Sequence, residues 1–517
     1  MRAVCQAGVI VGIDAHPVQV EIRLTRGLPR FDIVGLPETA VKEARLRVSS
    51  AIDACQFTFP QRRVLLNLAP ADLRKSGTAF DLAIAIGVLC TSGSCAPNLL
   101  DETLIIGELS LTGEVRRVSG VLAQLRSAKN RGLVRAVVPM ANAAEASLMT
   151  GMEVLCAGFL PEVVNFLNGT AELPQASSVG GIGRQPQRTC PVEDMADIRG
   201  QVLAKRALEI AAVGHHNVLL TGPPGAGKTM LARRLRGILP TPSPEEFLVM
   251  ATVAGVAQPY LEESHTWMER PFRSPHHTVS EVAMTGGGVP VRPGEVTLAH
   301  GGVLFLDEFA EFRRNVIESL RTTMEQGEVN IARSRYRVSL PAKPLVIAAM
   351  NPCPCGFSGD PKHMCTCSID RVARYRSKVS GPLLDRFDIH VHVPAVKVKE
   401  MSQKHDAEST ESIRQRVMCA QQFSVERHVN TEVKSPASLI DQKATALLER
   451  AADRFGLSAR AWNKAIRVGR SIADLDASEC IGVEHVAEAL HYRFVDRSQV
   501  ASGMPPESHG VEVMTDN

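Results

Sequence analysis

Apolar and polar residues alternate in short runs over the first third of the chain and recur at helical spacing over the last. In "VIVGIDAHPVQVEIRL" (9–24) every second residue from Val18 to Leu24 is apolar, and Gly12 interrupts the run. That period of two predicts a β-hairpin. In "ETAVKEARLRVSSAIDAC" (38–55) the apolar positions step by three and four, which predicts an amphipathic helix. "RRVLLNLAP" (62–70) and "TLIIGELSLTGEV" (103–115) read as strands, and between them "RKSGTAFDLAIAIGV" (74–88) predicts an apolar helix starting at Thr78. Residues 169–192 are rich in Gly, Ser, Pro and Gln and read as a linker. From 193 to 395 strands, loops and helices alternate, the pattern of an open α/β sheet. A polar, charged stretch at 397–430 precedes helical patterns within 436–500. The expected organisation is a first domain at 1–168, a linker at 169–192, an α/β domain at 193–395, a C-terminal helical domain at 396–502, and a disordered tail at 503–517.

Composition narrows the function. With a net charge of +3 and 22% charged residues in 517, a wholly basic domain is excluded. A polyanion would have to be held by a few arranged Arg and Lys. Aromatic residues make up only 4%, too few for binding built on stacked bases. The longest apolar runs are too short to span a bilayer and no signal-peptide pattern opens the chain, so the expected location is the cytoplasm. Twelve cysteines in so long a chain do not form a disulfide scaffold, and eight of them are scattered.

The strongest chemical signal is "VLLTGPPGAGKTMLARRL" (218–235). An apolar strand runs into Gly222, Pro223, Pro224, Gly225, Ala226, Gly227, Lys228 and Thr229, which open a helix. This is a phosphate-binding P-loop in its required context. Its glycines let backbone N–H groups face phosphate closely; Lys228 reaches the β- and γ-oxygens, and the Thr229 hydroxyl helps hold Mg²⁺. "GGVLFLDEF" (301–309) is an interior strand ending in two acids. Asp307 is the candidate for the Mg²⁺ shell and Glu308 for orienting or deprotonating the attacking water, so hydrolysis of ATP is expected rather than mere binding. Asn351, ending "PLVIAAMNP", is placed to sense γ-phosphate or to position water. Arg386 in "GPLLDRFDIHVHVP" lies between two acids. It either stabilises transferring phosphoryl charge across a subunit contact or forms a salt bridge to Asp385 or Asp388.

Three further clusters lie outside these motifs. "EVNIARSRYRVSLPAK" (328–343) predicts a hairpin with Arg333 and Arg335 at its tip and Arg337 beside them, suited to phosphate contacts. "ERPFRSPHHTVSEVAMTGGGVPVRPG" (269–294) is a glycine-rich insertion carrying Arg270, Arg273, Arg292 and the pair His276–His277. It reads as a mobile loop in which Arg273 and Arg292 contact DNA, with the histidines as polar loop residues. Cys353, Cys355, Cys365 and Cys367 fall within fifteen residues and suggest a structural Cys₄ zinc site, with His363 as an alternative ligand.

Taken together, the P-loop, the 303–308 strand, Asn351 and "LLDRFDI" resemble the AAA+ ATPases, in the clade of magnesium chelatase ATPase subunits and MCM helicases. "DIRGQVLAKRALEIAAVGHHNVLLTGPPGAGKT" and "NPCPCG…CTCS…YRSKVSGPLLDRFDIHV" are more similar to one branch, the ComM/YifB family of magnesium-chelatase-like proteins, over nearly the whole chain. The resemblance implies an α/β AAA+ module with a helical lid, Asn351 as sensor 1, Arg386 as arginine finger and Arg460 as sensor 2. It also implies a hexameric ring with ATP between subunits, the 269–294 insertion as the clade's helix-2 insert, and a 328–343 hairpin facing the central channel. The first domain resembles the Lon protease domain, an α+β fold of the ribosomal S5 type. The nucleophile position falls on Ala79 and the lysine position on Leu122, so the Ser–Lys dyad is absent. Ser76 is then a polar residue near the helix start or a cap, Lys75 is solvated, and the domain is a scaffold. The implied function is an ATP-driven DNA motor, acting on single-stranded and branched DNA, whose branch migration and helicase activity aid recombination in natural transformation. A chelatase-type ATPase working on a metal-insertion partner, or an ATP-switched assembly factor, are the rival readings.

Overall fold

A computed structural model describes residues 2–179, 193–257, 269–288, 291–332, 337–360, 362–395, 408–430 and 439–501. The alternation around Gly12 becomes an antiparallel pair, β1 (Arg2–Val11) and β2 (Asp14–Thr25). The rest of the first layer follows as β3 (Arg30–Val34), α1 (Thr39–Ala54), β4 (Arg63–Ala69), α2 (Asp81–Ser92), β5 (Thr103–Ile105), α3 (Val121–Asn130), β6 (Arg135–Pro139), β7 (Glu153–Ala157) and α4 (Leu160–Leu167). The sheet order is β3-β4-β2-β1-β5-β6-β7, with mixed parallel and antiparallel pairing. Helix α2 is buried almost all round because ten of its residues, Leu82 to Thr91, lie under the sheet and α1.

Three sequence expectations change in this region. The apolar helix starts at Asp81 rather than Thr78, so Ser76 is not its cap. Asp81 is fixed there by a bidentate pair with Arg47 at 2.6 and 2.9 Å. Lys75 is not solvated: it is fully buried and its Nζ donates to the Pro70 carbonyl. Burial pulls its ammonium below the usual lysine range. Part of the expected linker is folded, since Leu173 and Ala176 are buried in the first-domain cores and the Pro174 carbonyl accepts from Cys156 N–H at 2.8 Å.

The second sheet begins after α5 (Val202–Gly214) with β8 (Val218–Thr221), which leads into α6 (Lys228–Ile238) and α7 (Pro244–Ala257). Then come β9 (Phe272–Arg273), β10 (Val303–Leu306), α8 (Arg314–Gln326), the hairpin β11 (Glu328–Ala332) and β12 (Arg337–Pro341), β13 (Leu345–Met350), α9 (Ile369–Arg376) and β14 (Ile389–His392). Five parallel strands run in the order β9-β10-β13-β8-β14. Alternate residues serve opposite cores. Val218, Leu220, Phe305 and Ile347 face α5 and α6, while Leu219, Leu304, Val346 and Ala348 face α8 and the hairpin. With both faces covered, the strands read as continuous apolar runs.

Helices α10 (Thr410–Asn430), α11 (Gln442–Phe455), α12 (Ala459–Leu475) and α13 (Val483–Ala501) complete the chain. The polar reading of 397–430 missed α10. Its charges mask Ile413, Val417 and Ala420, which are at helical spacing and buried. The 503–517 tail lies outside the described residues.

The first domain packs directly on the second. Gly12 lies so close to the hairpin that a Cβ there would be 2.4 Å from Val338 Cγ1, and Ile13 joins the core beneath β10 and α8. Gly120 N–H donates to the Gly255 carbonyl at 3.1 Å, tying the start of α3 to α7. None of the described helices is long and apolar enough to cross a membrane.

Candidate nucleotide site

The parallel strands deliver their C-terminal ends to one edge of the sheet, where β8, β10 and β13 meet. Ligands of open α/β sheets bind at this edge. Residues 222–227 turn the chain from β8 into α6, and Gly225 and Gly227 take positive φ, which aims successive N–H groups at the turn's interior. Lys228 is the first residue of α6 and is buried. Its Nζ donates to Gly222 O at 2.7 Å, Pro223 O at 2.9 Å and Asn351 Oδ1 at 3.1 Å. Burial lowers its pKa, partly offset by the charge of Asp307. A desolvated ammonium held by neutral oxygens is poised to exchange them for phosphate.

Thr229 Oγ1 donates to Asp307 Oδ2 at 2.8 Å, and Asp307 Oδ1 accepts the Glu308 N–H at 2.9 Å. The hydroxyl and carboxylate thus form a hard oxygen pair beside the P-loop, the donor set that Mg²⁺ prefers. Glu308 has φ 52°, an uncommon conformation for a non-glycine residue, and its side chain is 60% exposed. Its Oε2 lies 3.2 Å from His277 Nδ1. His277 also meets Phe312 edge-on with ring centroids 6.5 Å apart, while His276 bonds Thr278 Oγ1 at 2.9 Å. In sequence the two histidines read only as polar loop residues. The contact with Glu308 is not legible there, because it joins the insertion to the end of a different strand.

Arg386 and Arg460 are elsewhere. They share a cavity of about 560 Å³ whose lining includes neither the P-loop nor Asp307, Glu308 or Asn351. Arg386 Nη2 is paired with Glu325 Oε1, and Arg460 Nη2 is 3.8 Å from the same oxygen. The alternative salt bridge of Arg386 to Asp385 or Asp388 is not formed; Asp388 pairs instead with Lys464 at 3.0 Å. Burial, and then the nearby guanidiniums of Arg460 and Arg321, pull Arg386 below its usual pKa.

The candidate DNA arginines divide. Arg273 is not in a mobile loop. It lies in β9 and is bidentate to Glu295 at 2.7 and 2.8 Å, so its fork is already used. Arg270 is likewise structural, donating to the Pro240 and Gly301 carbonyls and to Glu246. Arg292 is exposed in a two-residue strand paired with Gly286–Gly287, and Arg337 is exposed at the start of β12. Arg333 and Arg335 lie outside the described residues, between two strands whose antiparallel register is the expected hairpin.

The four cysteines converge. The Sγ atoms of Cys353, Cys355, Cys365 and Cys367 lie within 4.8 Å of one another, with separations of 3.3, 3.6 and 3.5 Å among the first three. Four thiolates around one ion at about 2.3 Å would sit at such separations. Ser358 N–H points at Cys353 Sγ at 3.2 Å. His363 is not part of the converging group among the described residues; its Nδ1 lies 3.5 Å from Asp360 Oδ2. Gly356, inside the loop, has φ 86°, and a Cβ there would be 2.5 Å from Pro224 Cδ of the P-loop. The cysteine loop therefore leans on the nucleotide site.

Ala79 packs against an apolar core of the first domain, and Leu122 is fully buried with its N–H bonded to Glu145 Oε1 at 3.3 Å. Lys75 Nζ is held on the Pro70 carbonyl.

Three family models match the chain: magnesium chelatase, subunit ChlI, at 194–401; subunit ChlI of Mg-chelatase at 20–142; and the magnesium chelatase subunit ChlI C-terminal region at 407–493. The chain is 41% identical over 498 residues to the competence protein ComM of Haemophilus influenzae, covering 94% of this chain and 96% of that protein. It is 40% identical over 494 residues to the uncharacterized protein YifB of Escherichia coli, with the same coverage. A shorter match, 26% over 181 residues, covers 34% of this chain and 22% of the probable DNA helicase MCM9 of Arabidopsis thaliana.

Proposed function

The chain belongs to the ComM/YifB family of magnesium-chelatase-like AAA+ ATPases, and from that premise we propose that it is an ATP-driven ring motor that migrates and unwinds branched DNA. The observation that carries the ATPase reading is the convergence of Lys228, Asn351, Thr229, Asp307 and Glu308 on one sheet edge. Lys228 takes the β- and γ-phosphates, Asn351 reports the γ-phosphate, and Glu308 leaves His277 to orient water. Thr229 and Asp307 would hold Mg²⁺, which when bound neutralises phosphate charge. Arg386 and Arg460, lying outside that site in their own subunit, serve the nucleotide of a neighbour, which makes hydrolysis depend on assembly, and a hexamer is the expected ring.

DNA as the track rests on the likeness to ComM and to a probable helicase, and on the hairpin with Arg337 exposed at the turn end of its second strand. By this reading the motor serves recombination during natural transformation. The deciding experiment is strand displacement on forked and four-way DNA with and without ATP, alongside ATPase rates with and without DNA. DNA-stimulated hydrolysis with movement supports the motor. Hydrolysis indifferent to DNA supports the chelatase-type rival.

Replacing Arg333, Arg335 and Arg337 together by Ala is expected to weaken binding to single-stranded DNA. It should also flatten the salt dependence, by about 0.7 in log–log slope for each phosphate the variant no longer neutralises. Fluorescence anisotropy over a salt series measures this, and an unchanged slope removes the hairpin from the interface.

We also assign the four cysteines to a structural zinc ion that braces the P-loop through Gly356 and Pro224. Purified protein is expected to carry one zinc per chain by atomic absorption. Cys365→Ser should lose it, lower Tm by at least about 5 °C and weaken ATP binding. Metal-free protein of unchanged Tm would argue for plain thiols.

A further inference from the structure

Arg386 and Arg460 reach one cavity from different elements, the turn after residues 381–384 and the first turn of α12. Five cationic side chains line this cavity, Arg386, Arg460, Lys343, Lys464 and Arg467, against two carboxylates, Glu325 and Asp388. Asp388 is committed already, to Lys464 at 3.0 Å and to Asn217 N–H at 3.0 Å. That leaves Glu325 facing two guanidiniums, and Arg386 Nε is buried with no hydrogen-bond partner. Glu325 sits in the last turn of α8, where the helix dipole disfavours an acid, so its place there is explained by the arginines and not by the helix. The cavity therefore has an excess of positive charge, an unfilled donor and one carboxylate, Glu325, left to face the two guanidiniums.

We propose that Glu325 is an internal substitute for phosphate: in a lone subunit it neutralises Arg386 and Arg460, and on assembly the terminal phosphate of the nucleotide held by a second copy of this chain displaces it. The proposal rests on the reading that these arginines act on a neighbour's nucleotide. A terminal phosphate carries more charge than a carboxylate and offers three acceptor oxygens to two forks, so it outcompetes Glu325 once it is delivered at the subunit seam. Without a neighbour the carboxylate keeps the arginines ordered and discourages capture of stray anions. The cost is a tax on assembly, since every seam must break the same internal pair.

The test is specific ATPase activity at saturating ATP and Mg²⁺ as a function of protein concentration, with association followed by sedimentation velocity. Glu325→Gln removes the charge and keeps the shape. It is expected to reach half-maximal activity at a protein concentration roughly five- to tenfold below wild type, with an unchanged plateau rate per subunit. Glu325→Asp keeps the charge and should follow the wild-type curve. A Glu325→Gln plateau that falls toward that of Arg386→Ala would overturn the proposal, because Glu325 would then hold the arginines in their working position. An unshifted concentration dependence, or a Glu325→Asp curve shifted like that of Glu325→Gln, would overturn it as well. If Arg386→Ala and Arg460→Ala both keep the wild-type plateau, the neighbour reading itself fails, a result separable from every outcome at Glu325.

Discussion

Lys228→Ala is expected to leave a folded protein that no longer hydrolyses ATP, with kcat/KM reduced by at least about 10²-fold. The ammonium is buried and its contacts are the carbonyls of Gly222 and Pro223 and the amide oxygen of Asn351. Removing it leaves neutral acceptors behind, which costs stability of order 1–3 kcal/mol and does not unfold a core of this size. The loss in function is larger because the charge is desolvated and already aimed. Burial disfavours the ammonium until phosphate arrives, and phosphate reverses that balance. The checks are steady-state phosphate release and thermal melting of both proteins. Wild-type hydrolysis by Lys228→Ala would move the catalytic site away from the P-loop altogether.

Glu308→Gln is expected to separate binding from turnover. Nucleotide should bind with little change in Kd while the single-turnover rate falls by about 10²–10⁴-fold, the usual contribution of a positioned base. The amide keeps the shape and can keep a hydrogen bond to His277, whose Nδ1 is 3.2 Å from the carboxylate. Backbone strain at φ 52° is common to both side chains, so stability should hardly move. Filter binding and rapid-quench measurements on the same preparation decide it. Normal single turnover with Gln would pass the water-orienting role to another group, and Asn351 would be the first to examine.

The nucleotide edge is legible in the sequence because its parts are local. A strand, a glycine turn and a helix follow one another in 218–235, and Asp307 and Glu308 directly follow four apolar strand residues. Helix α10 is hidden because Ile413, Val417 and Ala420, its buried apolar residues among those described, are outnumbered by charges. Lys75 misleads because its neighbours in sequence are polar, while its burial comes from the chain folding back between Leu36 and Glu38, to which its backbone N–H and C=O are bonded at 3.3 and 3.0 Å. Arg273 reads as a loop cation because two residues are a short strand, too short to show a period. The Arg386–Glu325–Arg460 cluster and the Glu308–His277 contact have no sequence signal at all. Each joins elements far apart in sequence, and no spacing rule relates them.

The seat of the first domain carries a practical consequence. Gly12 and Ile13 sit on the hairpin base and the core beside it, and the Gly120–Gly255 bond fastens α3 to α7. An ATPase fragment cut free at the linker would bare the oily flank of Val338 and Leu340 to water, and such a fragment should clump or lose its hairpin's alignment. Anyone dissecting the machine would do better to silence the leading domain by point changes on its own outer surface than to amputate it.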